Sequence, residues 1–447
     1  MRVRRLWFVA VTALVGFALP SANAQPNAVG PNEVTKWNRI AMSTLVAFPG
    51  PAGGAPPALQ IHMGMVQGAV YDALNATEPK HHRPYLLNRR FGARASKEAA
   101  AATAAYRVLS HIVSTVPASI TFANRASLLQ ALGLQYDASR DAVPDSPFKN
   151  QGIAAGNAAA DAMIEARQGD GRFGPSAWVP NSAAGHWQPL VNPDTGLPIL
   201  DPTPWVGNVR PFLIESSSQF RSDGPPALGS TTYAAEFNEV KALGGNGTTT
   251  PSARTATQTH NAVFWQSMGG PALLWNDVAS DLVEGAAYGI DIVDSARLLA
   301  MLNLTAADAA INCWNDKYHF DFWRPWNAIP RAAEDGNAAT APEAGWTALL
   351  TAPYPDHTSG HLCLDGAHLR VLQMFFGTDD ISFGVTSSQF GGETRLFDAF
   401  SEPLEEIIEA RIWAGLHFRT ADVQAELLGR NIAEYMAEHY FQKVGKG

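Results

Sequence analysis

The sequence is poor in cysteine, in charge and in long apolar runs. Only two cysteines occur among its 447 residues, which excludes a small scaffold held together by disulfides. Charged residues make up 16%, and the 41 acids outnumber the 32 lysines and arginines, which argues against nonspecific binding to nucleic acid or an anionic membrane. After Gln25 no apolar run reaches the roughly 18 residues of a membrane span. Any anion site must therefore be a local concentration of cations.

The first 24 residues have the pattern of a secretory signal peptide. A basic start with three arginines precedes an apolar run at residues 6–19 and an Ala-Asn-Ala sequence that ends at Ala24. Cleavage after Ala24 removes three arginines and no acid, so the formal charge changes from -9 to -12. We therefore predict a secreted or periplasmic protein without integral membrane association.

Periodic apolar residues indicate helices along most of the chain, and no stretch alternates convincingly as a strand. The candidate helices lie at residues 32–48, 57–76, 96–116, 124–138, 148–167, 255–268, 275–302, 306–323, 360–376, 402–414 and 421–441. Residues 168–228 are rich in Pro, Gly and Asn, which predicts irregular structure on the surface. We predict an all-α protein of paired helical bundles with a long irregular Pro/Gly-rich segment between them. The predicted parts are a signal peptide at 1–24, an N-terminal bundle at 25–167, a connecting segment at 168–254 and a C-terminal bundle at 255–447.

Two cations lie in the aromatic stretch KYHFDFWRP, residues 317–325. Thr305 and Asp308 have the spacing of a capping box, so a helix is expected to start there and to end at the proline after Arg324. On such a helix Lys317 and Arg324 lie two turns apart on one face. Burying two cations among aromatic rings is costly unless a partner compensates. Either both side chains reach a wet surface, or an anion binds between them.

The stretch YPDHTSGHLCLDGAHL, residues 354–369, predicts a turn followed by a helix. Ser359, Gly360 and His361 then lie at a helix N-terminus, where free backbone N–H groups and the helix dipole favour an anion. The alternative is an ordinary cap with a histidine that faces solvent. His357 and His361 also have the spacing of zinc ligands, but the sequence between them lacks the general-base Glu, so zinc is disfavoured.

The stretch EARIWAGLHFRTADVQAELLG, residues 409–429, indicates two helices joined by a short connection. Arg411 is expected to close the first helix, Gly415 to break it and Thr420 to cap the second. His417 would then project from the connection. The alternative is a helical hairpin whose histidine binds a backbone carbonyl.

Cys313 and Cys363 lie close in sequence to the first and second of these stretches. In an exported protein the two could form a disulfide, and two buried free thiols are equally ordinary. The sequence leaves both open.

The ordered set Lys-x6-Arg-Pro, Ser-Gly-His and Arg-x5-His resembles the signature of the vanadium-dependent haloperoxidase and type 2 phosphatidic acid phosphatase superfamily. The resemblance covers residues 255–441 through these motifs, and HMGMVQGAVYDALNATE at 62–78 is similar to the haloperoxidase-type N-terminal bundle. Trp314, the FWRP sequence and RTATQTHNAVFW at 254–265 resemble the haloperoxidase-like branch. The resemblance implies the helical-bundle fold of that branch.

The resemblance also implies an oxyanion site for vanadate, or for phosphate in its place. The residues that it assigns to this site are Lys317, Arg324, Ser359, Gly360, His361, Arg411 and His417. His417 matches the axial vanadium ligand, which in phosphatases is the nucleophile, and His361 matches the acid–base group. In the haloperoxidase reading, hydrogen peroxide activated at vanadate and polarised by Lys317 oxidises halide to hypohalous acid.

Two other functions are considered beside the haloperoxidase. A soluble acid phosphatase of the same superfamily would form a phosphohistidine at His417, and a non-catalytic protein would bind the oxyanion only. Asp356 and His357 depart from the family pattern before Ser-Gly-His, and a carboxylate there would repel an anionic nucleophile, which affects halide oxidation more than oxyanion binding. The small-molecule substrate is therefore either peroxide with a halide, or a phosphoester, and the sequence does not identify which. It does not indicate the oligomeric state either.

Overall fold

The computed structural model describes residues 30–54, 56–78, 82–266 and 270–444, and these contain thirteen α-helices and one β-hairpin. The helices of the first half are α1 (Glu33–Val46), α2 (Pro56–Asn75), α3 (Lys97–Thr115), α4 (Arg125–Ala142) and α5 (Pro147–Ala166). Those of the second half are α6 (Thr231–Leu243), α7 (Ala256–Phe264), α8 (Gly270–Glu284), α9 (Ile292–Phe320), α10 (Pro325–Ala328), α11 (Gly360–Phe376), α12 (Glu402–Trp413) and α13 (Arg419–His439). The predicted all-α class is confirmed. The predicted signal peptide at 1–24 lies outside the described residues.

Helix α2 forms the centre of the first bundle and connects it to the second. It is buried around its whole circumference, over residues 57–75, and it packs against α3, α5 and α9. Such a helix suits the middle of a large core rather than its surface. Helix α9 in turn packs against α11 and α13, so one continuous core joins the halves. No helix of the described ranges is long and apolar enough to span a bilayer.

Helices α11 and α13 approach each other closely because a glycine on each lies at their contact. A Cβ on Gly429 would lie 2.2 Å from the backbone oxygen of Cys363, and one on Gly366 would lie 2.6 Å from the backbone oxygen of Glu426. Neither position has room for a methyl group. The backbone of α11, whose N-terminus carries Ser359 and Gly360, is thereby fixed against α13.

The predicted helix start at Thr305 is wrong. Helix α9 runs unbroken from Ile292 to Phe320, with Thr305 buried inside it, and the preceding break falls between α8 and α9 instead. The Asp308 carboxylate does not cap the helix. It accepts hydrogen bonds from the backbone N–H groups of Phe212, Leu213 and Ile214 at 2.7, 2.7 and 2.9 Å. Asp308 therefore ties the connecting segment to the core.

The prediction that Lys317 and Arg324 share one helical face is also wrong. Helix α9 ends at Phe320, and Asp321 follows with a left-handed φ of 49°. The connecting segment fixes this end, because Trp178 Nε1 donates to Asp321 Oδ1 at 2.8 Å and His186 Nδ1 lies 2.9 Å from its Oδ2. Arg324 comes after the turn, as the N-cap of α10. Only the chain reversal brings its guanidinium back towards Lys317.

Three smaller features also differ from the sequence predictions. Thr420 does not cap α13, whose N-cap is Phe418, and its hydroxyl instead donates to Glu236 Oε1. Residues 168–254 are largely irregular, as expected, but they include α6. A two-stranded antiparallel sheet, β1 (Phe383–Ser387) with β2 (Glu393–Phe397), was missed. Its strands are only five residues long, which is too short for a convincing alternation.

Candidate oxyanion site

Ser359 and Gly360 lie at the N-terminus of α11, as predicted. Ser359 is the N-cap, and its backbone N–H donates to Ala421 O at 2.9 Å, which attaches this end of α11 to the start of α13. Its side chain makes no capping bond and faces the buried carboxylate of Asp422. A Cβ on Gly360 would lie 3.0 Å from two atoms of the Trp314 ring. The absence of a Cβ thus lets the Trp314 ring pack directly against the N-terminus of α11.

Lys317 is fully buried, and the loop before α11 holds its ammonium group. Its Nζ donates to the backbone oxygens of Pro355 and Asp356, each at 3.1 Å, and to that of Thr358. Burial lowers the pKa of Lys317 to about 8. Backbone carbonyls accept from all three N–H groups of Lys317. A neighbouring anion would therefore be attracted by the positive charge of Lys317 without a hydrogen bond from it, unless the anion displaced one of the carbonyls.

Arg324 is fully buried and bridges the loop before α11 to the connection after α12. Its Nε donates to Tyr354 O at 3.0 Å, and its Nη1 donates to Leu416 O at 2.7 Å and lies 3.1 Å from His417 Nε2. Burial lowers the pKa of Arg324 below its ordinary value. Its Nη2 is buried and has no hydrogen-bond partner among the described residues.

Arg411 and His361 each add a buried nitrogen to the site. Arg411, near the end of α12, donates from Nη1 to Gln266 Oε1 at 3.1 Å, while its Nε is buried without a described partner. Burial lowers the pKa of Arg411 to about 10. His361 keeps some solvent exposure as a residue, but its Nε2 is buried and also lacks a described partner. Burial, and then the charge of Arg411, lower the pKa of His361 well below its ordinary value.

His417 lies on the connection between α12 and α13, where Gly415 turns the chain with a φ of 73°. Its Nδ1 is 2.9 Å from Oδ1 of Asp356, a fully buried carboxylate. Burial, and then the charge of Arg324, lower the pKa of His417 well below its ordinary value, so the ring is neutral at pH 7. Burial raises the pKa of Asp356 to about 7, against the effect of Arg324 and Lys317.

The seven residues that the sequence analysis singled out therefore come together from four parts of the chain. The positive charges of Lys317, Arg324 and Arg411 all act on His417, and so does His361. Three cations and two neutral imidazoles next to a helix N-terminus suit an oxyanion with several acceptor oxygens. Whether these residues bind one stays a prediction.

Aromatic rings and the connecting segment form one wall beside Lys317. Its Nζ lies 5.5 Å from the Trp314 ring and 5.0 Å from the Tyr354 ring. Asp201, from the connecting segment, accepts from Trp314 Nε1 at 2.8 Å and from the Tyr318 hydroxyl at 2.7 Å. The Pro/Gly-rich segment thus reaches the back of this wall.

His357 and the cysteines lie behind the loop rather than among the donors. His357 Nε2 is 2.8 Å from Ser222 Oγ, and burial lowers the pKa of His357 to about 3. Cys313 and Cys363 are free and buried, and the Thr358 hydroxyl lies 3.3 Å from Cys313 Sγ and 3.5 Å from Cys363 Sγ. Within the described ranges, no group of three or more His, Cys, Asp or Glu side chains could hold a metal ion.

Four neighbours of the site were not singled out from the sequence. These are Asp201, Gln266, Tyr354 and Asp422, named above for their contacts. Tyr354 and Asp422 stand inside the quoted motifs, so closer attention to flanking residues could have found them. Asp201 and Gln266 carry no local signal, because only the folded chain brings them to the site.

Comparisons with known proteins agree with this arrangement of helices. A family described as the VCPO second helical-bundle domain matches residues 297–446. The solved structure of the first bacterial vanadium-dependent iodoperoxidase aligns with a TM-score of 0.72 at 21% identity, covering 95% of this chain and 100% of that chain. The chain has the vanadium haloperoxidase fold. The resemblance to the haloperoxidase-like branch is thereby confirmed.

Two chloroperoxidases are also similar to this chain, one over nearly all of its length and the other over less than half of it. A holo-type bacterial vanadium-dependent chloroperoxidase aligns with a TM-score of 0.69 at 15% identity, covering 94% of this chain and 98% of that chain. Vanadium chloroperoxidase of Curvularia inaequalis is 23% identical over 203 residues, an alignment that covers 39% of this chain but only 32% of that protein. At these identities the similarity concerns the fold. Iodide and chloride are the halides for which those relatives are named, and the similarity does not transfer them to this chain.

Proposed function

We propose that this chain binds a tetrahedral oxyanion, vanadate or phosphate, at the N-terminus of α11. The observation that carries the proposal is the pair of buried guanidinium donors, Arg324 Nη2 and Arg411 Nε, without a described partner. Leaving a buried donor unpaired costs about 1–3 kcal/mol, and more when the group is charged. A multiply charged oxyanion would accept from both and would offset the desolvation of the cations.

The reaction proposed first is oxidation of a halide by hydrogen peroxide. Vanadate, when bound, supplies an electrophilic centre at which peroxide becomes an oxidant for halide. His417 offers a ring-nitrogen lone pair to that centre, and His361 Nε2 holds or releases a proton beside it. Arg324, Arg411 and the backbone at Gly360 bind oxyanion oxygens, while the positive charge of Lys317 favours electron flow towards the oxidant. The names of the structural relatives support this choice over the phosphatase.

Phosphoester hydrolysis is the second candidate, and the contact between Asp356 and His417 favours it. A carboxylate 2.9 Å from Nδ1 favours the tautomer with the proton on that nitrogen, which leaves Nε2 unprotonated, as a histidine nucleophile requires. His417 would attack phosphorus to form a phosphohistidine, and His361 would protonate the leaving oxygen. The same cations would bind the phosphoryl oxygens.

One experiment distinguishes these functions. The purified full chain, freed of phosphate, is assayed with and without vanadate for peroxide-dependent oxidation of iodide, bromide and chloride. Hydrolysis of an aryl phosphate is measured in parallel. The test variant is Arg324→Ala at the site, and its matched control is Arg90→Ala at an exposed position.

The haloperoxidase proposal expects halide oxidation that requires vanadate, is lost in Arg324→Ala and is kept in Arg90→Ala. Phosphoester hydrolysis that vanadate inhibits, without halide oxidation, would establish the phosphatase instead. Binding of phosphate without turnover in either assay would leave a non-catalytic oxyanion-binding protein. No oxyanion binding at all would refute the site itself.

We also propose that the protein is exported, because residues 1–24 have the composition of a signal peptide. Expression of the full sequence in a bacterium, followed by N-terminal sequencing of the periplasmic or secreted protein, tests this. A mature chain that begins at Gln25 is expected, and an uncleaved chain that stays in the cytoplasm would contradict export.

A further inference from the structure

Asp356 lies between the loop before α11 and the connection that carries His417. Its backbone N–H donates to Phe322 O at 2.9 Å, and its backbone oxygen accepts from Lys317 Nζ at 3.1 Å. The main chain is thus held on both sides, and the carboxylate points towards His417 Nδ1, 2.9 Å from Oδ1. The side chain is fully buried.

We propose that Asp356 is a positioning residue that selects the tautomer of His417 with the proton on Nδ1. In its ionised form Asp356 can only accept a hydrogen bond from a neutral imidazole, so Nδ1 then carries the proton and Nε2 keeps its lone pair. Arg324 Nη1 approaches the same ring, 3.1 Å from Nε2 and 3.4 Å from Nδ1, so Nε2 is the ring nitrogen nearer to this cation. The inference rests on the proposed function, in which that lone pair bonds to the centre of the oxyanion.

The negative charge of Asp356 has a second effect, on the affinity of the site. Its Oδ1 lies 3.7 Å from Arg324 Nη1, so the carboxylate offsets part of the positive charge that attracts an oxyanion. Asp356 therefore has opposite effects on the affinity for an oxyanion and on the readiness of His417 to react. The carboxylate weakens the binding of the oxyanion and holds His417 ready for bond formation.

Opposite changes in binding and in turnover distinguish this role of Asp356 from a merely structural one. In Asp356→Asn we expect phosphate, or tungstate as a second probe, to bind at least about tenfold more tightly, because a nearby negative charge is removed. Turnover should fall at least about tenfold in whichever assay the wild type passes, because a neutral amide no longer imposes the tautomer. Asp356→Glu should recover part of the turnover. A structural lesion would instead weaken both binding and turnover.

Asp72→Asn is the matched control, since Asp72 is another buried carboxylate that accepts from backbone N–H groups of residues 85–87, in the first bundle. It should change neither phosphate affinity nor turnover. Thermal unfolding of each variant shows whether it folds.

A direct measurement keeps the inference testable even if Asp356→Asn fails to fold. In the folded wild type labelled with 15N-histidine, the His417 signals, assigned with His417→Gln, should report a protonated Nδ1 and an unprotonated Nε2. A proton on Nε2, or weaker phosphate binding in a folded Asp356→Asn protein, would overturn the inference. Absence of turnover in both assays would refute the proposed function while leaving the tautomer measurement standing.

Discussion

Oxyanion affinity should fall steeply above pH 8, because Lys317 loses its charge there. Burial lowers the pKa of Lys317 from an ordinary 10.5 to about 8. The ammonium group is therefore charged below that pH and neutral above it. An anion nearby favours the charged form, so it binds best at low pH and more weakly as pH rises through 8.

The magnitude follows from this pKa. If the charged form is the one that binds, the dissociation constant rises by a factor of 1 + 10^(pH − 8), which is about tenfold at pH 9 relative to pH 7. Arg411, with a pKa of about 10, stays largely protonated over this interval. Asp356, with a pKa of about 7, gains negative charge over the same interval and adds to the decline, so the comparison with a variant of Lys317 identifies the part that is due to Lys317.

Isothermal titration calorimetry with tungstate, a dianion over this pH range, measures the effect without a change in the charge of the ligand. Lys317→Arg, which stays protonated, should remove the roughly tenfold part of the pH dependence that Lys317 contributes, and Lys317→Met should bind weakly at every pH. A wild-type dissociation constant that is the same at pH 7 and 9 would refute this account of the site.

Four other substitutions probe the site and its support. His417→Ala should abolish turnover in either chemistry yet keep part of the phosphate binding, whereas Arg324→Ala should weaken phosphate binding by about 2–5 kcal/mol; near-normal activity of His417→Ala would contradict the mechanism. Asp308→Asn should lower the free energy of unfolding by roughly 2–4 kcal/mol in chemical denaturation, since three backbone N–H groups lose a charged acceptor; an unchanged value would show that this contact does not hold the connecting segment. Gly360→Ala places a Cβ 3.0 Å from the Trp314 ring, so we expect about 1–3 kcal/mol lower stability and weaker phosphate binding, and unaltered binding would show that the ring moves aside freely.

The sequence was informative wherever a structural feature depends on neighbouring residues. The 3.6-residue periodicity located α11 at residues 360–376, with the bounds that the structure has. The Ser-Gly pair correctly predicted the N-terminus of α11, and Gly415 correctly predicted the break before His417. These signals are local because caps and turns depend on one side chain or one φ angle.

Features that depend on distant partners were mispredicted. Asp308 has the spacing of a capping residue, yet its carboxylate binds backbone N–H groups almost a hundred residues away. Arg324 was placed on α9 because nothing in its own stretch reveals that Trp178 and His186 hold Asp321 in a left-handed turn. Tertiary hydrogen bonds overrode the local pattern at both positions.

The contact between α11 and α13 limits how this protein can change over generations. Every single-base change that replaces a glycine introduces a side chain, and at Gly366 or Gly429 even a methyl group would overlap the backbone of the other helix. Single substitutions at these two positions are therefore excluded unless one helix moves away from the other. Descendants of this chain should accordingly keep the backbone that carries Ser359 and Gly360 in its present place against α13.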